Sequence, residues 1–452
     1  DFGEHVVGFF SCVVAPAAHP IDAPVRLRAV FAETPAELGE RFDPYPGTLS
    51  RSWLQDEVIN VDDTPAEVRF PRRYAFRYVR IEVVAGSPHA HAIIRSPRVE
   101  AVTSADETRV PPLPSGLSER QRSMDRIARR TLRNCMQTVF EDGPKRDRRL
   151  WLGDLRLQAL ANYATFRNYD LVRRCLYLHA GTATDRGLVA TCLFERPAPV
   201  RGRNNILDYT ALFAPTVLDY LEASSDRATA EDLWPMVVRL LEFTLEPVGP
   251  DGLFRDSGRW WLFVDWDREL DRQAAEQGTI LYGLRATLEL ARRLGRAHEV
   301  LFLPAAIERM VAASRRDLWD ESLGLFVSGE SRQVSWASQA WMVLAGVPTA
   351  EEARQLWPRL RTHAAARTPV TPYLHHHVVE AMWRSGLRAE ALAYLEQYWG
   401  GMMDRGADTF WEVWVPANER ESPYRSHLMN SYCHAWSCTP SWFLRTPPPA
   451  AP

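Results

Sequence analysis

Three aspartates stand close together in the stretch Glu141-Asp-Gly-Pro-Lys-Arg-Asp-Arg-Arg-Leu-Trp-Leu-Gly-Asp154: Asp142, Asp147 and Asp154. Gly143 and Pro144 keep the stretch out of helix. A solvated charged loop would not usually include Leu150, Trp151 and Leu152, whereas a sugar-cleaving subsite needs an acid, positioning cations and a stacking platform. A second candidate lies far downstream in Asp408-Thr-Phe-Trp-Glu-Val-Trp414. There Glu412 is the lone acid of an aromatic strip, flanked by Trp411 and Trp414, and burying a carboxylate costs free energy unless it is paired or used. Glycoside hydrolysis needs two carboxyl groups, which in inverting enzymes stand ~6.5–9.5 Å apart to leave room for water. Glu412 and an early aspartate could form such a pair if the fold closed on itself.

The elements that must position these residues change character along the chain. The first hundred residues read as β, with strands expected at Val6–Val14, Val25–Phe31, Tyr74–Val83 and His91–Ile94, separated by turns such as Asp43-Pro44-Tyr45-Pro46-Gly47. Their spacing suggests a jelly-roll-like sandwich over 1–102. The sequence opens close to an expected strand, and residues upstream are expected. Val110-Pro-Pro-Leu-Pro-Ser-Gly116 marks a linker over 103–117. From Ser118 apolar residues recur at helical spacing, as in Leu233, Val237, Val238 and Leu241. Helices are expected at 118–139, 154–166, 169–180, 206–223, 229–245, 272–295, 300–317, 334–345, 349–364, 372–385, 388–400 and 428–444. Twelve helices without a fixed repeat fit six helical hairpins, a mainly α (α/α)6 barrel over 118–445, better than a solenoid. A short tail, 446–452, follows.

Composition narrows the function. A formal net charge of -3 argues against a nucleic-acid partner. No apolar run of roughly 18 residues appears, so no membrane helix is expected. The six cysteines form no CxxC pair and read as buried free thiols; Cys433 and Cys438 fall in an expected helix that would hold them apart. His375-His-His377 points in three directions at a helix start, unlike a metal-ligand pair, so neither a metal nor a cofactor is expected, although one of the three could line a cleft. Ser335, Trp336, Gln339 and Trp341 could form an aromatic wall or core packing. Lys145 is the only lysine among 54 basic residues, and a lysine kept against that bias suggests a task arginine does less well.

Asp142-Gly-Pro-Lys-Arg-Asp147 followed by Trp151-Leu-Gly-Asp154 resembles the motif of the bacterial α-L-rhamnosidases, glycoside hydrolase family 78. Asp1-Phe-Gly-Glu-His-Val-Val-Gly8 resembles the family's strand before the barrel, and Val264-Asp265-Trp266 its Asp-Trp platform. Thr409-Phe-Trp-Glu412 resembles the segment holding its general base, and Tyr432-Cys-His-Ala-Trp-Ser437 the helix supplying a sugar-contacting histidine. The resemblance implies an inverting hydrolase that removes terminal α-L-rhamnose or a related deoxy sugar, with Asp147 as general acid and Glu412 as general base. It implies substrate contacts from Asp142, Arg146, Trp151, Asp154, Asp208, Asp265, Trp266, Trp411 and His434, and a carbohydrate as the partner. Three departures stand out. Asp147 replaces the family's usual glutamate, Gly143 replaces its cysteine, and Asn204-Asn-Ile-Leu-Asp-Tyr209 replaces a tryptophan segment while keeping Asp208. A glycosidase for another sugar, a polysaccharide lyase on a similar toroid, and a carbohydrate-binding protein with a degenerate site are the competing readings.

Overall fold

The structure is a computed structural model that describes residues 1–17, 22–40 and 42–446; the expected tail falls outside it beyond Thr446. Six strands form the N-terminal unit: β1 (Val6–Pro16), β2 (Val25–Ala32), β3 (Asp56–Val61), β4 (Ala66–Phe76), β5 (Tyr78–Ala85) and β6 (Ala92–Ala101). They make two antiparallel three-stranded sheets, ordered β4-β1-β6 and β3-β2-β5. Val25, Leu27, Ala29 and Phe31 alternate toward the space between the sheets, as the period of a half-buried strand requires. Phe31 stacks on Tyr74 with ring centroids 3.9 Å apart, and Phe10, Phe70 and Phe76 fill the same core. The single strand expected over Tyr74–Val83 is two. Arg77 breaks the run because its N–H turns to Ala32 O, 2.9 Å away. β3, whose sequence is too polar to stand out, was not expected.

After β2, a short helix α1 (Pro35–Gly39) turns toward the barrel. The barrel begins with α2 (Glu119–Cys135), started by a capping box between Ser118 and Gln121. Met124, Ala128, Leu132 and Cys135 line its buried face. β7 (Leu150–Trp151), α3 (Leu152–Ala164), α4 (Tyr169–Gly181), β8 (Cys192–Phe194), β9 (Val200–Arg201), α5 (Leu207–Ala211), α6 (Phe213–Ser224) and α7 (Arg227–Leu245) follow. Then come α8 (Gln273–Leu294), α9 (Leu303–Ala313), α10 (Trp336–Leu344), α11 (Ala350–Thr362), α12 (Pro372–Arg384), α13 (Arg388–Asp404) and α14 (Pro440–Arg445). Helices α3, α6, α8, α10 and α12 pack side by side, and α14 with the turn before it closes the ring against α3. The other long helices form the outer layer. Every residue of α10 is buried, whereas α11 buries only Ala353, Leu356, Trp357 and Leu360, as expected of an inner and an outer helix. The architecture is the six-hairpin toroid preceded by a β unit.

One expected helix is missing. Residues 428–444 form two single turns, His427–Met429 and Ala435–Ser437, before α14. Their backbone donors are claimed elsewhere. Ser431 N bonds Glu412, Tyr432 N bonds Glu33, His434 N bonds Phe410 O, and Ala435 N bonds Asp142 O. With those amides committed to tertiary partners, the i→i−4 ladder cannot form. The argument that kept Cys433 and Cys438 apart therefore loses its basis. All six cysteines are nonetheless buried free thiols, and Cys433 packs against Cys135.

Candidate active site

The loops at one end of the toroid enclose a cavity of about 160 Å³. Asp142, Arg146, Asp147, Trp151, Asp154, Trp266, Glu412 and His434 line it, so eight of the eleven residues singled out in the sequence meet there. Asp154 sits in the first turn of α3, where the helix dipole favours a carboxylate. The glycine before it is required by space: a Cβ on Gly153 would fall 2.3 Å from the ring of Tyr209, which also lines the cavity. Gly143 is required in the same way. A Cβ there would meet Arg146 O at 2.4 Å and Ser431 Oγ at 2.6 Å. Ser431 Oγ instead donates to Arg146 O, which accounts for glycine where the family carries cysteine.

Arg146 organises the centre. It is almost wholly buried, and its Nη1 donates to Asp147 Oδ1 at 2.9 Å while its Nη2 donates to Glu412 Oε2. Two hydrogen bonds and one guanidinium separate the carboxylates, so their facing oxygens lie within about 8 Å of each other. Glu412 also accepts from Tyr424 Oη at 2.6 Å and Ser431 N at 2.9 Å. Burial pushes its carboxyl up, but the Arg146 and His434 charges outweigh burial and hold it at about 2. Asp142 moves the opposite way, to about 7, through burial and then the nearby charge of Asp147. Its oxygens accept the N–H groups of Asp147 and Arg149 at 3.3 and 3.0 Å, so it also shapes the loop. Burial raises Asp154 as well. His434 Nε2 stands 3.3 Å from Asp154 Oδ1 without hydrogen-bond alignment, which leaves both atoms available to a ligand. Burial opposes a charge on His434, but Asp154 and Glu412 outweigh it and raise its pKa. The four cations of the stretch, Lys145, Arg146, Arg148 and Arg149, divide. Arg146 and Arg149 face Asp147, whereas Arg148 turns to Pro144 O and Arg73 O, and Lys145 points into the β unit.

Three of the residues expected to contact substrate lie outside the cavity lining. Asp208 does not line the cavity; its two oxygens accept Phe263 N and Val264 N, both at 3.1 Å. Those bonds hold Val264 at a φ of 50°, unfavourable for a β-branched residue. Asp265 faces away too, accepting Thr371 N, Thr371 Oγ1, Val370 N and Trp266 N. Both aspartates position the loop that presents Trp266. Trp411 lies outside the cavity lining, packed against Trp414 and Tyr432. None of His375, His376 and His377 lines the cavity: they pack within the barrel, His375 on Tyr398 and His377 on Trp341. Trp336 and Trp341 are likewise core residues.

The sequence reading missed Leu49, Ile206, Tyr209, Trp261, Phe263, Tyr424 and Trp436 in the lining. Trp436 lay inside a stretch already singled out. Tyr424 stands in a polar coil with no local pattern to mark it, and Leu49 comes from the β unit.

Two family models match the chain. Residues 1–101 match the glycosyl hydrolase family 78 α-rhamnosidase N-terminal domain, and residues 119–446 match the bacterial α-L-rhamnosidase six-hairpin glycosidase domain. The chain belongs to glycoside hydrolase family 78. It is a glycosidase of the α-L-rhamnosidase kind, which removes rhamnose. Among solved structures, a Klebsiella oxytoca rhamnosidase with rhamnose bound is 45% identical with a TM-score of 0.95, covering 98% of this chain and 86% of that one. The family 78 rhamnosidase of Bacillus sp. GL1 shares 23% identity and a TM-score of 0.82 over 98% of this chain and 45% of its own. A Streptomyces avermitilis α-L-rhamnosidase complexed with L-rhamnose shares 16% identity and a TM-score of 0.70 over 97% and 41%. The last two show likeness of fold, and this chain spans less than half their length. No curated protein compared matches the chain. None of these family 78 matches favours the lyase or the degenerate binding protein.

Proposed function

We propose that this family 78 member is an exo-acting, inverting α-L-rhamnosidase in which Asp147 is the general acid and Glu412 the general base. The observation that carries the reading is the Arg146 fork, which holds one carboxylate on each arm at the wall of a single cavity. A separation within about 8 Å overlaps the span that leaves room for a water between acid and base. The small cavity suits one terminal sugar. Its aromatic wall of Trp151, Trp266 and Trp436 suits C–H faces and a methyl group, while Asp142, Asp154 and His434 suit hydroxyls.

In this mechanism Glu412 stays ionised and takes a proton from water as that water attacks the anomeric carbon. Tyr424 and Ser431 orient its oxygens for the transfer. Asp147 delivers a proton to the departing glycosidic oxygen. Glu141, another acid of the loop, is unsuited to the role because it turns to Arg73 of the β unit and does not line the cavity. Nuclear magnetic resonance of the first-formed sugar tests the stereochemistry: β-L-rhamnose is expected, and α-L-rhamnose would mean a retaining enzyme. Glu412→Gln is expected to lower kcat at least ~10²-fold while rhamnose affinity stays near parental. Near-parental turnover would remove Glu412 as the base.

A further inference from the structure

The single lysine of the chain lies next to the residue that joins the two carboxylates. Lys145 is buried, and its Nζ lies 2.8 Å from Glu37 Oε1, 3.2 Å from Glu33 Oε2, 2.6 Å from Asn430 O and 3.3 Å from Leu428 O. Two of these four acceptors come from the β unit and two from the segment 428–430. The carboxylates are themselves fixed. Glu37 Oε2 accepts Glu33 N and Thr34 N, and Glu33 bonds His5 through one oxygen and Tyr432 N through the other. Four acceptors around one point suit a compact ammonium, whereas a planar guanidinium projects its donors in a fixed fork. This accounts for a lysine in a chain that otherwise uses arginine.

The neighbouring bonds connect this anchor to the reacting groups. Arg146 Nε donates to Met429 O at 2.8 Å, between the two carbonyls that Lys145 holds. Ser431 Oγ donates to Arg146 O at 2.6 Å, and Ser431 N donates to Glu412. Residues 145–146 and 428–431 are therefore laced together, and both strips hold Glu412.

We propose that Lys145 is a positioning residue through which Glu33 and Glu37 of the β unit set the Arg146 fork, and with it the spacing of Asp147 and Glu412. The inference rests on the acid–base reading given above. Asp154, His434, Trp266 and Trp436 make no bond to Lys145, Glu33 or Glu37, and Trp436 meets the acid–base pair only through the backbone oxygen of Glu412, so losing the anchor costs rate before affinity.

The test uses Lys145→Met and the double variant Lys145→Met/Glu37→Gln in the full chain. The single variant leaves buried carboxylates short of a partner and can fail to fold, whereas the double variant removes one charge of each sign. For each variant with a parental melting profile, kcat is measured, together with rhamnose affinity from the fluorescence of the cavity tryptophans. The expected result is a kcat at least ~10-fold lower with rhamnose affinity within about threefold of parental, since small misplacements of reacting groups cost rate first. Parental kcat in the double variant would overturn the proposal, as would kcat and affinity falling together by one factor. Glu412→Gln in the same assay separates the two levels. An inactive Glu412→Gln beside a fully active double variant sinks only the role of Lys145. An active Glu412→Gln sinks the acid–base reading and this inference with it.

Discussion

At the scale of single residues, the two carboxylates are expected to respond differently to substitution. Asp147→Asn should slow natural glycosides by ~10²-fold or more and spare substrates with activated aryl leaving groups, which need little protonation. If Asp142→Asn showed that leaving-group pattern instead, the proton would belong to Asp142, whose pKa of about 7 suits a donor. Tyr424→Phe removes a hydroxyl that donates to Glu412. It should move the acidic limb of the kcat/KM profile upward and lower kcat about tenfold, because one bond favouring the ionised base is lost. An unmoved limb would show that Tyr424 does not tune Glu412. The acids of the site were legible because their types and spacing are unusual. Tyr424 was not, because what distinguishes it is tertiary: a bond to Glu412 across a coil and a ring under the Arg146 guanidinium.

At the scale of elements, the loop 263–266 depends on α12. Asp265 gathers two backbone N–H groups and a hydroxyl from Val370 and Thr371, at the start of that helix, and also bonds Trp266 N. Asp265→Ala should leave those donors unpaired, costing about 1–3 kcal/mol for each one that finds no water. Rhamnose affinity should weaken at least ~10-fold as Trp266 loses its platform, and calorimetry with a binding titration would read both effects. A variant with parental affinity would detach Trp266 from that clamp. Helical periodicity made eleven of the expected helical regions legible, with boundary shifts and a break between α5 and α6. It failed at 428–444, whose apolar residues have helical spacing but whose amides bond Glu412, Glu33, Phe410 and Asp142. Periodicity reports which face is buried, not where the backbone donors go. The motifs around Asp208 and Asp265 show that an acid is needed, not which neighbour needs it, and both carboxylates accept backbone N–H groups.

At the scale of the whole molecule, buried acids set the pH dependence of stability. Burial raises Asp208 and Asp265 to about 6 and, with the charge of Asp147, Asp142 to about 7. Between about pH 4 and 7 the folded chain therefore binds more protons at these sites than the unfolded chain, and their contribution makes stability fall as pH rises. Glu412 acts in the opposite sense only at low pH. Its depressed pKa contributes stability above about 4.5 that is lost as pH falls toward 2. Buried His179 and His375, held by burial at about 4 and about 3, act in the opposite sense below about pH 6.5, so the test is a difference: relative to the parent, Asp142→Asn should lose more of its thermal midpoint at pH 5 than at pH 8. An equal loss at the two pH values would contradict the raised pKa of Asp142. The β unit's part in the site was the least legible feature. Leu49 reaches the cavity and Glu37 reaches Lys145 across more than a hundred positions, and no local pattern records such a meeting.

The burial of Lys145 also fixes how the molecule meets amine chemistry. The folded surface carries its positive charge on guanidinium groups, and the one side-chain amine is sealed between the β unit and the barrel. Succinimidyl esters, aldehyde fixatives and lysine-directed crosslinkers should find no lysine to attack in the native state. A lysine adduct at that position would mark a molecule that had opened, so its mass shift over time would report the opening rate of the interface directly.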